Sequence, residues 1–162
     1  MNWLAALLTL AGTVVGASIT LTAERMRWRR DQRERHLEAR RDSYAGYLAA
    51  LHTTSESIRA VSLDEHDADV RRSSAARAAF STANLNAARE QIVLLAPASV
   101  VRAADKTFTT LRSLHDIVAQ GGDLDSPNYR ETLSVYQHAL KDLRKVMRED
   151  LGTPSLVDDV TF

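Results

Sequence analysis

A chain of 162 residues with 21 basic and 21 acidic side chains carries no formal net charge, so no global basic field points toward nucleic acid. Its 44 % hydrophobic and 26 % charged content suits one folded domain with room for an appendage, and is too apolar for a disordered chain. The absence of cysteine excludes disulfides, thiolate nucleophiles and cysteine-ligated zinc or iron–sulfur sites, while three prolines and six glycines leave room for long helices.

Residues 3–23 form a run of 21 without a charged side chain. As a helix this run would extend about 31 Å, against a hydrocarbon core of about 30 Å. Thr9, Thr13, Thr20 and Thr22 dilute its leucines and valines. It ends abruptly in Glu24, Arg25, Met26, Arg27, Trp28, Arg29 and Arg30, and from residue 24 to 41 eight arginines stand against four acids, a net +4. Positive flanks stay on the cytoplasmic side, so the expected topology is a single pass through the inner membrane with the N-terminus outside. Trp3 and Trp28 fall near the two interfaces, where indole rings are favoured. A cleaved signal peptide is the rival reading, with Val15, Gly16 and Ala17 as its small-residue site. Its positive charge would precede the apolar run, whereas here it follows. A buried helix of a soluble domain is the other rival, but nothing else in the chain is long and apolar enough to cover such a helix on all sides.

Within the run, Gly12 and Gly16 make a GxxxG pair flanked by Thr9, Thr13, Ala17 and Thr20. Such small residues let two helices approach closely in lipid, which makes the pair the candidate contact of a homodimer. Arg25, Arg27, Arg29, Arg30 and Arg33 are candidates for contact with anionic membrane lipids, at about 1 kcal/mol each near the surface. Nucleic acid is the other polyanion to consider. Interleaved acids, and no aromatic platform beyond Trp28, argue against it.

Residues 24–36 are charged on every side, as suits a stalk. From Leu37 the spacing of Leu37, Tyr44, Leu48, Leu51, Ser55 and Ile58, with Tyr47 and Val61 beside them, predicts one face of a helix continuing to about residue 62. The acidic run over 64–69 then breaks it. A second helix is expected over about 69–95, with Val70, Ala76, Phe80, Ala83, Ala87 and Leu94 on its face and Ile92 and Leu95 at its end. Ala96 and Pro97 mark its boundary, since the residue before proline avoids the α region. The third helix has a seam at Val101, Ala104, Phe108, Leu111, His115 and Val118, and Gly121 with Gly122 stops it. Ser126 caps a fourth, with Pro127 following and a seam at Tyr129, Leu133, Tyr136, Leu140, Leu143 and Met147. Gly152 and Pro154 end it. The expected fold is therefore all-α: anchor over 1–23, stalk over 24–36, antiparallel bundle of about four helices over 37–152, and a tail over 153–162.

Little in the chain suggests catalysis. His52 with Glu56, and His138 with Asp142, have the i, i+4 spacing of helical metal ligands, yet both pairs fall off the apolar stripes and read as exposed ion pairs. His36 lies in the charged stalk, His115 lies on a seam and reads as a packed core or rim residue, and His66 sits among acids without the spacing of a calcium loop. No phosphate-cradling loop, zinc-protease motif or nucleophile elbow occurs. The expectation is a non-enzyme with no cofactor and no metal.

An apolar N-terminus carrying AGTVVGAS, then RMRWRRDQRERHLEARRDSYAGYL, then Ala/Arg-rich helices with IVLLAPASVV in mid-chain, resembles small membrane-associated proteins of Streptomyces-like actinobacteria, many of them labelled kilB. The resemblance is one of layout over the whole chain. It implies a role in conjugative-plasmid spread, with lethality when unregulated, and assigns no functional residues. Together these readings predict a membrane-anchored helical bundle acting as a scaffold or interaction protein with an unidentified protein partner. The alternative is a pore-forming or toxic membrane protein of the holin kind.

Overall fold

The computed structural model describes residues 3–63, 74, 75, 77, 78 and 84–153, with side chains from residue 24 onward. Four helices are bounded among the described residues: α1 Trp3–Leu63, α2 Leu85–Leu95, α3 Ala98–Ala119 and α4 Pro127–Asp150. No strand occurs among the described residues, and the fold class is all-α. Two compact units divide at Glu38 and Ala39. No helix among the described residues is long and apolar enough to cross a membrane. The span expected over 3–23 has its backbone in α1, but its side chains lie outside the described residues.

The unit beginning at Ala39 is built on one apolar cluster. α1 contributes Tyr44, Tyr47, Leu51, Thr54 and Ile58, all buried and spaced by three and four residues. Two expectations for this face are corrected. Leu37 does not start the stripe, being 46 % exposed, and Tyr47 lies at the centre of the buried face instead of beside it. The reason is the reach of the partner helix: α4 ends at Asp150, which meets α1 at Arg40 and Tyr44, so the core opens there.

The single helix expected over 69–95 is interrupted. Asn84 adopts a left-handed conformation (φ 51°, ψ 29°) and α2 begins after it. Asparagine is among the few non-glycine residues that visit this region routinely. Val70, Ala76, Phe80 and Ala83 lie outside the described residues, as does the acidic run with His66. On α2 the buried residues are Leu85 and Ile92, with Ala88 half-buried, while Ala87 is exposed and Leu94 is 81 % exposed. At about 100° per residue, Leu94 points some 200° away from Ile92, to the opposite side of the helix.

Ala96 is extended (ψ 154°) and Pro97 caps α3, as the dipeptide requires. Half of the expected α3 seam holds, with Ala104, Leu111 and Val118 buried, while Val100, Thr107 and Leu114 are buried in place of Val101, Phe108 and His115, which are half-buried. The chain then turns at Gly121, whose φ of 90° favours glycine, and the Gly122 N–H donates to Ile117 O at 2.9 Å. Ser126 caps α4, its hydroxyl accepting from Tyr129 N at 3.3 Å with Pro127 in the first turn. The expected α4 seam holds, with Tyr129, Tyr136, Leu143 and Met147 buried and Leu133 and Leu140 packed against the core. Gly152 (φ 65°) closes the helix as Thr153 N–H reaches back to Arg148 O.

Polar contacts give the packing order. Tyr47 Oη donates to Ala104 O at 3.0 Å, joining α1 to α3. The buried Thr107 hydroxyl lies 3.1 Å from Ala139 O, joining α3 to α4. Arg89 pairs with Asp105 at 2.8 Å and stacks 5.1 Å over the Phe108 ring, joining α2 to α3.

Candidate functional site

The first candidate surface is the segment following residue 23. Its backbone is helical throughout, and Arg25, Arg27, Arg29, Arg30 and Arg33 are all exposed. Trp28 and Met26 are exposed among them, at 62 % and 59 %. No apolar side chain of this segment is buried, so cationic heads and aromatic ring are all presented to the surroundings. Gly12 and Gly16 fall within α1, but the surroundings that would test them as a dimer contact lie outside the described residues.

In the second unit a polar clasp joins three elements. Arg40 Nε donates to Leu95 O at 2.9 Å at the α2 C-terminus, and Arg40 Nη1 lies 3.2 Å from Asp150 Oδ1. Tyr44, one turn along α1, donates to Asp150 Oδ2 at 2.6 Å. Burial, and then the bond to Asp150, push the Tyr44 phenol well above its ordinary value, with Arg40 opposing. Tyr47 is likewise pushed up, by burial first. Beside the clasp, Val93, Leu94 and Leu95 form an exposed apolar ridge at the end of α2.

Between α1, α3 and α4 runs a cleft of about 410 Å³. Ile58, Leu111, Leu114, Leu133 and Leu140 supply its apolar walls, Tyr129 and Tyr136 also line it, and the exposed Glu56, Arg59 and Gln137 lie at its rim. Burial raises the pKa of both tyrosines. The cleft can hold apolar matter.

Of the five histidines, His36, His52, His115 and His138 fall among the described residues. His52, Glu56, His138 and Asp142 are all exposed. The expected His138–Asp142 ion pair is replaced: His138 Nδ1 meets Ser134 O at 3.0 Å, and Asp142 lies 3.7 Å from Lys106. His36 is exposed in the first unit. His115 is a half-buried rim residue with Nδ1 2.9 Å from Asp116 Oδ1. Among the described residues no three His, Asp or Glu side chains gather as a metal site would need.

Sequence reasoning missed the Arg40–Tyr44–Asp150 clasp and the apolar ridge. The ridge had a signal, because spacing Leu85, Ala88 and Ile92 along one face leaves Leu94 opposed. The clasp had none, its partners being separated by 106 and 110 positions.

No family model matches the chain, and no curated protein and no solved structure matches it.

Proposed function

We propose that the chain is a bitopic inner-membrane protein whose residues 3–23 span the bilayer with the N-terminus outside, and whose cytoplasmic bundle is a scaffold that recruits a protein partner. The observation that carries the reading is the passage, inside one uninterrupted helix, from 21 uncharged residues into a segment whose arginines are all exposed. The recruiting role is supported by the ridge of Val93, Leu94 and Leu95, since apolar residues clustered on a surface mark interaction sites. The resemblance in layout to kilB-type proteins supports setting this role in plasmid transfer or spread.

Full-length protein is expected to sediment with membranes and resist carbonate extraction, and a reporter fused after Phe162 is expected to work only inside the cell. Leu94→Asp is expected to lose a discrete partner that the unaltered chain recovers from detergent extracts. A soluble chain, or a reporter active only outside, refutes the anchor. Leakage caused by residues 1–36 alone favours the pore-forming alternative over the scaffold.

A further inference from the structure

The arginines after residue 23 are not equivalent. Residues three or four apart on a helix are surface neighbours, with Cβ atoms about 5–6 Å apart. Arg27 lies three positions after Glu24 and four before Asp31, Arg35 four after Asp31 and three before Glu38, and Arg30 four before Glu34, so each has an acid at neighbour spacing. Arg25, Arg29 and Arg33 follow one another at intervals of four, with no acid three or four positions away on either side. All six are exposed. Along α1 the positive excess of residues 24–38 therefore concentrates on a single line of three guanidiniums.

Like charges at this spacing destabilise a helix slightly unless an external anion is shared between them. The position of the line says what that anion is. Arg25 stands about 3 Å beyond residue 23 and Arg33 about 15 Å, at 1.5 Å per residue. The headgroup layer occupies about 5–8 Å on each side of the hydrocarbon core. Arg25 and Arg29 would stand in or at the edge of that layer, and Arg33 within about one Debye length of it. Trp28, exposed next to Arg25 and Arg29, is the side chain suited to the same depth. At the end of a span the anions within reach are the headgroup phosphates that surround the helix, and of the lines it presents to them only this one has no acid beside it.

We infer that the line Arg25–Arg29–Arg33 binds anionic phospholipid headgroups of the cytoplasmic leaflet, and that Arg27, Arg30 and Arg35 contribute little because Glu24, Asp31, Glu34 and Glu38 on their side of the helix offset them. The inference rests on the membrane-anchored reading above.

The test uses the full chain in lipid nanodiscs, carrying Trp3→Phe so that Trp28 is the single indole. Quenching of Trp28 is compared between phosphatidylglycerol and phosphatidylcholine, each bearing a headgroup nitroxide. Each arginine close to the surface is worth about fivefold, or about 1 kcal/mol. Arg25→Gln/Arg29→Gln/Arg33→Gln is thus expected to reduce the phosphatidylglycerol preference by more than about tenfold. Arg27→Gln/Arg30→Gln/Arg35→Gln, which removes the same charge, is expected to reduce it by less than about twofold. Equal losses in the two triple variants overturn the inference, since net charge would then suffice. Equal quenching by both lipids in the unaltered chain also overturns it while leaving the anchor intact. Absence of quenching by either lipid overturns the inference together with the anchor. Retention of duplex DNA that depends on this line, without lipid preference, reassigns it to nucleic acid.

Discussion

The chain's four tyrosines, Tyr44, Tyr47, Tyr129 and Tyr136, are all buried in the bundle, and burial raises the pKa of each. A phenol whose pKa is higher in the folded state binds its proton more tightly there than in the unfolded chain. Its contribution is therefore complete below about pH 10, the ordinary tyrosine value, and is lost as pH rises above it. At about pH 11 an unfolded tyrosine is roughly nine-tenths ionised, which stabilises the unfolded chain by about 1.4 kcal/mol for each tyrosine still neutral in the fold. Tyr44 and Tyr47, raised furthest, together account for about 3 kcal/mol, and Tyr129 and Tyr136 act in the same direction. Against a typical total of about 5–15 kcal/mol this is a large fraction. Following tyrosinate absorbance and far-ultraviolet circular dichroism through an alkaline titration should show the phenols ionising late, steeply and together with the loss of helix. Smooth ionisation with a midpoint near pH 10, while the helix signal stays intact, would refute the assignment of the tyrosines to the core.

Two further outcomes follow from packing. Asp150→Ala removes the acceptor of Tyr44 and the partner of Arg40, and is expected to cost about 2 kcal/mol in denaturant unfolding. Adding Tyr44→Phe should then cost much less than Tyr44→Phe alone, a coupling that a double-mutant cycle measures. Among the glycines, a Cβ on Gly46 would meet nothing within 4 Å, whereas one on Gly122 would lie 2.5 Å from Ile117 Cγ2 and 2.9 Å from Ile117 O. Thermal unfolding should accordingly show Gly46→Ala stabilising by about 0.5–1 kcal/mol and Gly122→Ala destabilising by about 1–3 kcal/mol.

Helix boundaries were legible wherever local chemistry sets them: Ser126 with Pro127, Ala96 with Pro97, and the glycines at 121, 122 and 152 each act on backbone within a few positions. The α4 seam was legible because large residues recur along one side of it. The α3 seam was legible at Ala104, Leu111 and Val118, and Thr107 was missed because it is polar by type, yet its hydroxyl lies 2.9 Å from Ala103 O and 3.1 Å from Ala139 O, which lets it serve as a core residue. Leu37 misled for the opposite reason. It continues the heptad spacing of Tyr44 and Leu51, but spacing does not say where the partner helix ends. The exposed arginines were legible from charge and periodicity alone, and their inequality emerges only when acids are placed around the helix.

Apolar seams spaced by threes, fours and sevens have a weakness: sliding one helix along another by seven residues brings similar side chains back into contact. The Tyr47 hydroxyl on Ala104 O acts as an index pin against such slippage, whereas the Thr107 hydroxyl carries an acceptor in its own helix, Ala103 O at 2.9 Å. An alternative alignment would strand the buried Tyr47 donor, at about 1–3 kcal/mol. One buried hydroxyl thus selects one axial setting from several that hydrophobic contact would nearly tolerate.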